Sequence, residues 1–546
     1  MTTSIDRRTL LRIAGTSAGT AVLAGAVLHS ADPAHAADAA FRHGVASGDP
    51  TPDGVLLWTR VTPTDDATPG SGDGPDVTLT WQVATDPDFT VLAAAGTIAT
   101  GASRDHTVKV DCVGLAPGTT YWYRFGYQGQ WSPVGRTTTA PAATADVDEL
   151  RVGVVSCANW EAGHFAAYRH LARRTDLDLV VHLGDYLYEY GTGEFAAGDR
   201  VVRPVRPAHE TLSLADYRVR HALYKSDPDL QALHAAVPWA ITWDDHEVAN
   251  DQWSGGAENH TPGVEGDWGR RLAAARQAYF EWMPVRVGSD GHIYRRLRFG
   301  RLAELSLLDL RTHRSEQASG VAVDDPTRTI TGADQMRWLR TGLVDSDARW
   351  KLVGNPVMIA RLDVGSLPAW LLGPLGRLLG IPENGLILNV DQWDGYNADR
   401  NALVDELQRA GTTDVVFLTG DIHTSWANEI TTRSTGPNRP AAVEFVVPSV
   451  TSDNVDDFLG LPAGNALSAL AAGLLRATNP HVRWTELDGH GYGVVTVTTQ
   501  RCRMDWYHLA DRTDPASGSS WVAGWSVEAG TAALRREYAP SQSYLG

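Results

Sequence analysis

The spacing of apolar and polar positions changes character once along the chain, and the change separates two architectures. From about Phe41 to Pro141 the period is two: Val77-Thr78-Leu79-Thr80-Trp81-Gln82-Val83 alternates strictly, Thr107 to Cys112 alternates again, and Tyr121 to Phe125 follows a Pro117-Gly118 turn. Short alternating strands with such punctuation predict an all-β sandwich of immunoglobulin-like size over residues 41–141. A stretch rich in Thr, Ala and Pro, Thr137 to Asp146, predicts the linker that follows. From Leu150 the pattern becomes strands alternating with helices. Arg151–Ser156, Leu179–Leu183, Trp239–Trp243, Trp350–Gly354 and Val415–Thr419 read as strands, and Phe165–Arg174, Leu214–Tyr224, Leu230–Val237 and Arg270–Trp282 as helices. Apolar strands between helices predict an α/β domain, here residues 150–512, with parallel strands covered on both faces. Residues 513–546, with Trp521, Trp525 and Tyr544, remain as a tail and a candidate lid.

Each of these strands stops at residues able to bind metal. Past the five ends lie Cys157 and Asn159; Asp185 and Tyr188; Asp244, Asp245, His246 and Asn250; Asn355; and Asp421 and His423. Parallel strands would bring them to one edge of the sheet, where open α/β sheets bind ligands. Thiolate and imidazole suit a transition metal, carboxylate and amide oxygens suit Ca2+ or Mg2+, and only a strong Lewis acid holds a phenol ionised near neutral pH. Such a mixture predicts a multinuclear centre. Each piece alone reads equally as a solvated turn after a buried strand. His182 lies inside an apolar run and is expected in the core, and His164, His313 and His490 have no comparable company.

Composition narrows the partners. The chain has 546 residues, 43% hydrophobic and 21% charged, an ordinary globular balance. Its formal net charge of -18 argues against nucleic acid. An acidic protein that handles phosphate must gather local positive charge, and metal ions are its most compact source. Residues 1–36 read as an address: Arg7-Arg8-Thr9-Leu10-Leu11, a small apolar run to about Leu28, then Ala34-His35-Ala36. The paired arginines predict twin-arginine export of a folded cargo, hence a secreted or extracytoplasmic protein with the export machinery as a partner. No later apolar run is long enough to span a bilayer. Three cysteines, Cys112, Cys157 and Cys502, exclude a disulfide framework and leave the pairing of Cys112 with Cys502 open.

Gly184-Asp185-Tyr186-Leu187-Tyr188 resembles the Gly-Asp-x-x-Tyr signature of purple acid phosphatases in the calcineurin-like metallophosphoesterase superfamily. Asp245-His246 and Gly420-Asp421-Ile422-His423 stand where that superfamily has Asn-His and Gly-His-x-His. Ser156-Cys157, Gly184 to Tyr188, Asp244 to Asp251 and Gly420 to His423 together match the closer pattern of the PhoD-type alkaline phosphatase/phosphodiesterase family. His43 to Pro50, with Trp58-Thr59-Arg60, resembles the opening of that family's amino-terminal domain.

The resemblance implies a metallophosphoesterase β-sandwich flanked by helices. It implies one Fe3+ held by Cys157, Asp185, Tyr188 and His423, and one or two Ca2+ ions served by Asp245, Asn250 and Asp421, with Asn355 a looser match and Asp185 bridging. A metal-activated oxide or hydroxide would attack phosphorus in line, releasing phosphate or alcohol from phosphomonoesters and phosphodiesters. His246 would touch the phosphoryl group or protonate the leaving alkoxide, or else orient a ligand. Leu362 to Leu388, rich in Leu, Gly and Pro, reads as a packing insert, with a cap or a lipid-facing surface as competitors. The alternative substrate is phospholipid, in a calcium-dependent phospholipase D. Two other classes compete: a non-haem iron dioxygenase, for which the surplus carboxylates have no use, and a cell-surface binding protein working through its sandwich domain.

Overall fold

The computed structural model describes residues 40–195, 200–288, 291–362, 389–432 and 439–541. The expected export signal, nearly all of the Leu362 to Leu388 insert and Tyr544 lie outside the described residues. Two sheets form the body. The ten-stranded one runs, edge to edge, through Leu534–Glu537, Ser519–Glu528, Arg501–Leu509, Gly491–Thr498, Glu149–Val155, Leu179–His182, Trp239–Ile241, Val45–Thr51, Gly54–Arg60 and Thr107–Val113. The seven-stranded one runs through Arg295–Phe299, Ala303–Leu307, Trp350–Asn355, Val415–Thr419, Ala442–Val446, Ser425–Ile430 and Val482–Glu486. The five strands whose ends carry the site are called here β1 (Glu149–Val155), β2 (Leu179–His182), β3 (Trp239–Ile241), β4 (Trp350–Asn355) and β5 (Val415–Thr419).

Alternation along these strands builds the layers. Leu150, Val152 and Val154 of β1, with Leu179 and Val181 of β2, pack against Leu352 of β4 and Val416 and Leu418 of β5 in a shared inner core. The opposite side chains face helices: Val180, Trp239 and Ile241 meet Tyr168 and Leu171 of the helix Ala166–Ala172 and Leu230 and Leu233 of Pro228–Ala236. On the far side, Val353, Val415 and Phe417 meet Leu339 and Leu343 of Ala333–Asp345 and Leu403, Val404 and Leu407 of Asn397–Ala410. Removing each such side chain from water is worth roughly 1.5–3 kcal/mol. The result is a helix–sheet–sheet–helix sandwich, mixed α/β as expected.

β1, β2 and β3 pair in parallel, as do β4 and β5, so all five chains leave the sandwich at its C-terminal edge. The two sheets draw together there because Gly420 has no side chain: a Cβ at that position would lie 2.7 Å from both Cβ and Oγ of Ser156.

Two boundaries differ from expectation. The amino-terminal strands form the expected β-sandwich around a core of their own, with Val45, Val55, Leu57 and Val110 packed against Leu79, Val83, Tyr123 and Phe125, but one of its layers is shared: Val45–Thr51, Gly54–Arg60 and Thr107–Val113 also extend the large sheet, joined in parallel through Gly48 opposite Trp239. The five-stranded sheet of Leu92–Thr100, Val77–Ala84, Thr120–Tyr127, Gln130–Trp131 and Gly135–Thr138 closes over them, its last strand taking the start of the expected linker. The tail is no lid as far as it is described: Ser519–Glu528 and Leu534–Glu537 are the last two strands of the large sheet. Trp525 is buried in the inner core there, while Trp521 donates its indole N–H to Asp505 Oδ1 (2.7 Å). Alternation hid this, because Trp and Ser at an edge look like any exposed aromatic tail. Cys112, Cys157 and Cys502 are all buried free thiols, the first and last in separate cores.

Candidate metal centre

Four of the ligand candidates sit at a backbone kink just past a strand end. Cys157 (φ 58°), Asp185 (53°), Asp421 (68°) and His423 (60°) all occupy the left-handed region that non-glycine residues rarely adopt. Residues held so cost on the order of 1–3 kcal/mol each and persist where surrounding structure over-determines them. The surroundings do so: Cys157 N–H donates to Gly184 O (3.2 Å), Ala158 N–H to Asp185 O (2.9 Å), and Thr451 and Ser452 N–H groups to Cys157 O. Gly184 (φ 104°) must be glycine, since a Cβ would meet Asp244 N at 2.4 Å.

The kinks bring four of the expected ligands together. The ligand atoms of Cys157, Asp185 and His423 lie within 4.8 Å of one another, and Tyr188 Oη sits 3.1 Å from Asp185 Oδ2 and 3.2 Å from His423 Nε2. His423 Nδ1 bonds Asp453 O (2.6 Å), which turns its Nε2 toward the phenol. A second group, Asp185, Asp245 and His246, shares Asp185 with the first, and a third joins Asp245 to Asp251 and Asp391.

Two observations fit these residues to cations. Asp185 Oδ1, Asp244 Oδ2 and Asp245 Oδ1 are buried without a hydrogen-bond partner, which a native fold rarely tolerates. Burial also weighs against the charged form of most of these donors; at Asp245 burial does so too, but Arg311 and His246 outweigh it and hold that carboxyl below its usual range. Burial pushes Asp185 well above the carboxylate range, with Asp245 and Asp244 adding repulsion. Burial likewise lifts Asp244 to about 8 and Asp421 to about 7. The Cys157 thiol and Tyr188 phenol are raised first by burial and then by the Asp185 charge. A cation bound here would displace those protons and satisfy the orphaned oxygens together.

His246 lies at the same edge, its ring 4.1 Å from that of Tyr188, centroid to centroid. Its Nδ1 bonds Glu189 Oε2 at 2.8 Å, and its Nε2 lies 4.0 Å from Asp245 Oδ1. Burial opposes a charge on this ring, but Asp245, Glu189 and Asp185 outweigh it and raise the imidazole well above its ordinary value. Asn250 is drawn in by its backbone, which donates to Glu189 Oε1 (2.8 Å), while its side-chain nitrogen donates to Glu258 Oε2 (3.0 Å). Asp421 Oδ2 accepts from Gln392 (2.9 Å), and its Oδ1 is 3.6 Å from Arg311.

Two looser candidates do other work. Asn355 donates to Val357 O and Thr419 Oγ1 and accepts from Trp393 Nε1 (2.9 Å), so it knits strand ends together. Asn159 accepts from Glu161 N–H (2.9 Å) in a local turn. His182 is core as expected, bonded to Tyr168 Oη (3.2 Å) and stacked on Trp239.

Sequence reading missed the charge at the centre. Arg311 is fully buried among four carboxylates: its Nε donates to Asp244 Oδ1, its Nη1 reaches Asp391 Oδ2 (2.7 Å) and Asp245 Oδ2 (3.4 Å), and its Nη2 faces Asp421. Arg314 adds a second cation on Asp391. Arg311 follows the strand Ala303–Leu307, which the sequence pattern did not single out, and a search for metal-capable residues passes over arginine; Asp391 follows none of the strands read from the sequence.

Comparison with known proteins agrees with this arrangement. Residues 152–506 match the family model described as PhoD-like phosphatase, and residues 27–141 match its N-terminal domain. The chain is 34% identical to alkaline phosphatase D of Bacillus subtilis (strain 168), across 98% of this chain and 89% of that one. A solved structure titled "Structure of PhoD" superposes with a TM-score of 0.81 at 33% identity, covering 94% of both chains. A partial match, to the GTP-dependent dephospho-CoA kinase of Haloarcula marismortui (strain ATCC 43049 / DSM 3752 / JCM 8966 / VKM B-1809), is 34% identical and spans 19% of this chain and 63% of that one. A sandwich with a thiol, a phenol, carboxylates and imidazoles gathered at one edge is thus matched along both its parts, and the chain belongs to the PhoD-like phosphatase family.

Proposed function

We propose that the protein is an exported phosphoesterase that hydrolyses phosphomonoesters and phosphodiesters at a mixed iron–calcium centre. The observation that carries this reading is the convergence of Cys157, Asp185, Tyr188 and His423 on one point. A soft thiolate beside a phenolate and an imidazole suits Fe3+, and the oxygen donors of Asp245, Asn250 and Asp421 suit Ca2+, with Asp185 shared between the Cys157–His423 group and the Asp245–His246 group. When bound, such ions supply Lewis acidity toward phosphoryl oxygens and a nucleophile drawn from water at neutral pH.

The chain's own groups do the rest. Glu189 holds the Nδ1 proton of His246, which fixes the ring and leaves Nε2 as the atom that carries the transferable proton. Kept cationic by its carboxylate neighbours, His246 donates that proton to the departing alkoxide. Tyr188, Tyr190 and Phe195 pack around the imidazole and keep bulk water from it. Arg311 balances part of the carboxylate charge, so the cluster does not depend on added ions for all of its compensation.

One panel tests the reading: nitrophenyl phosphate, bis-nitrophenyl phosphate and phosphatidylcholine, each with and without chelator and added Ca2+. Turnover of the nitrophenyl esters that chelator abolishes and Ca2+ restores is the expected result. Turnover confined to phosphatidylcholine would move the substrate to phospholipid, and activity indifferent to chelation would overturn the metal reading.

A further inference from the structure

A buried acid beside the centre takes no part in this chemistry. Glu247 ends the Asp244-Asp245-His246-Glu247 run, is 1% exposed, and has no cationic partner among its hydrogen bonds. It accepts backbone N–H donors instead: Asp185 (3.1 Å) and Asp244 (2.9 Å) on Oε2, and Tyr186 (2.8 Å) on Oε1. Those donors come from the separate turns after β2 and β3. A buried carboxylate without a cation is costly unless hydrogen bonds compensate it, and backbone amides aimed at its oxygens are such compensation.

The position of these donors matters more than their number. Asp185 belongs both to the group with Cys157 and His423 and to the group with Asp245 and His246, so its orientation governs both halves of the centre. Its backbone is in the left-handed region, and its carbonyl side is already tied to the turn after β1 through Ala158 N–H. Glu247 ties the amide side of the same residue to the turn after β3. Tyr186, between them, is anchored at its far end by the 2.9 Å contact of its hydroxyl with His234 Nε2. Only an acceptor-only group with two oxygens can take all these N–H donors; glutamine would turn an NH2 group toward one of them.

Resting on the metal-centre reading, we propose that Glu247 is a positioning residue: it locks the backbone of Asp185 and joins two ligand turns, and so sets the affinity of the centre for its ions. It touches neither substrate nor metal in this scheme. Outer groups that orient ligands are typically worth 10–100-fold in metal affinity or activity, and Glu247 falls in that range.

The test compares full-length wild type, Glu247→Gln, Glu247→Asp and, as a control, Asp505→Asn. Asp505 is an equally buried carboxylate bonded to Arg503 and Trp521 on a strand away from the site. Iron per chain after purification and Ca2+ affinity of chelator-treated protein are read alongside the folded fraction from circular dichroism. The expected result is a 10–100-fold weaker Ca2+ affinity and a lowered iron content per folded chain in both Glu247 variants, with wild-type values in Asp505→Asn whatever its melting temperature. If Glu247→Gln does not fold, Glu247→Asp keeps the charge and carries the comparison. Wild-type metal binding in a folded Glu247 variant, or an equal loss in Asp505→Asn, overturns the positioning role. Wild-type protein that takes up neither ion overturns instead the metal-centre reading on which it rests.

Discussion

At the scale of single residues, Arg311 decides whether the site can exist before its ions arrive. Asp244, Asp245 and Asp391, all buried, and the half-buried Asp421 surround its fully buried guanidinium. Burial opposes its charge, yet the aspartates outweigh burial and hold the guanidinium more firmly protonated than usual. Arg311→Met keeps much of the volume and removes the charge. Breaking a buried ion network in this way costs about 3–5 kcal/mol. Urea unfolding in chelator should therefore show a loss of that order, with added Ca2+ restoring part of it; unchanged stability would mean that the carboxylates are compensated elsewhere. The residues named from sequence were those directly after recognisable strands, Cys157, Asp185, Asp245 and Asp421. Tyr188, His246 and His423 followed within a few positions. Arg311 stayed hidden because its strand was not recognised, and Glu189 and Glu247 because a carboxylate serving backbone N–H groups has no pattern in a linear chain.

At the scale of elements, period and length located the core strands well. Val415–Thr419 and the helix Leu214–Tyr224 lie where the pattern placed them, the helix opening on a Ser213–Asp216 capping box. What the pattern could not give was partnership. That Val45–Thr51 of the amino-terminal sandwich also joins the large sheet depends on a single parallel register, Gly48 opposite Trp239, far away in sequence. The same ignorance made a lid of the carboxyl-terminal strands. Deletion of residues 513–546 distinguishes the two pictures. It strips Trp525, Val527 and Leu534 from the inner core and leaves the strand Arg501–Leu509 as a raw edge, so the shortened chain should be insoluble or melt far below the full one. A soluble, more active product would restore the lid.

At the scale of the whole molecule, two sheets deliver their loops to a single edge, where the group of Cys157, Asp185 and His423 adjoins a second of Asp185, Asp245 and His246 and an oxygen-only third of Asp245, Asp251 and Asp391. A strongly acidic chain thereby creates a local demand for cations, and bound cations are what an anionic phosphate ester needs in order to settle there. The measurement that bears most directly on this is iron per folded chain in purified wild type and in the Cys157→Ala/Tyr188→Phe double variant. Near-stoichiometric iron in the wild type, with a visible charge-transfer band, and loss of both in the folded double variant are expected. Iron and its band retained after both side chains are removed would contradict the centre as built here.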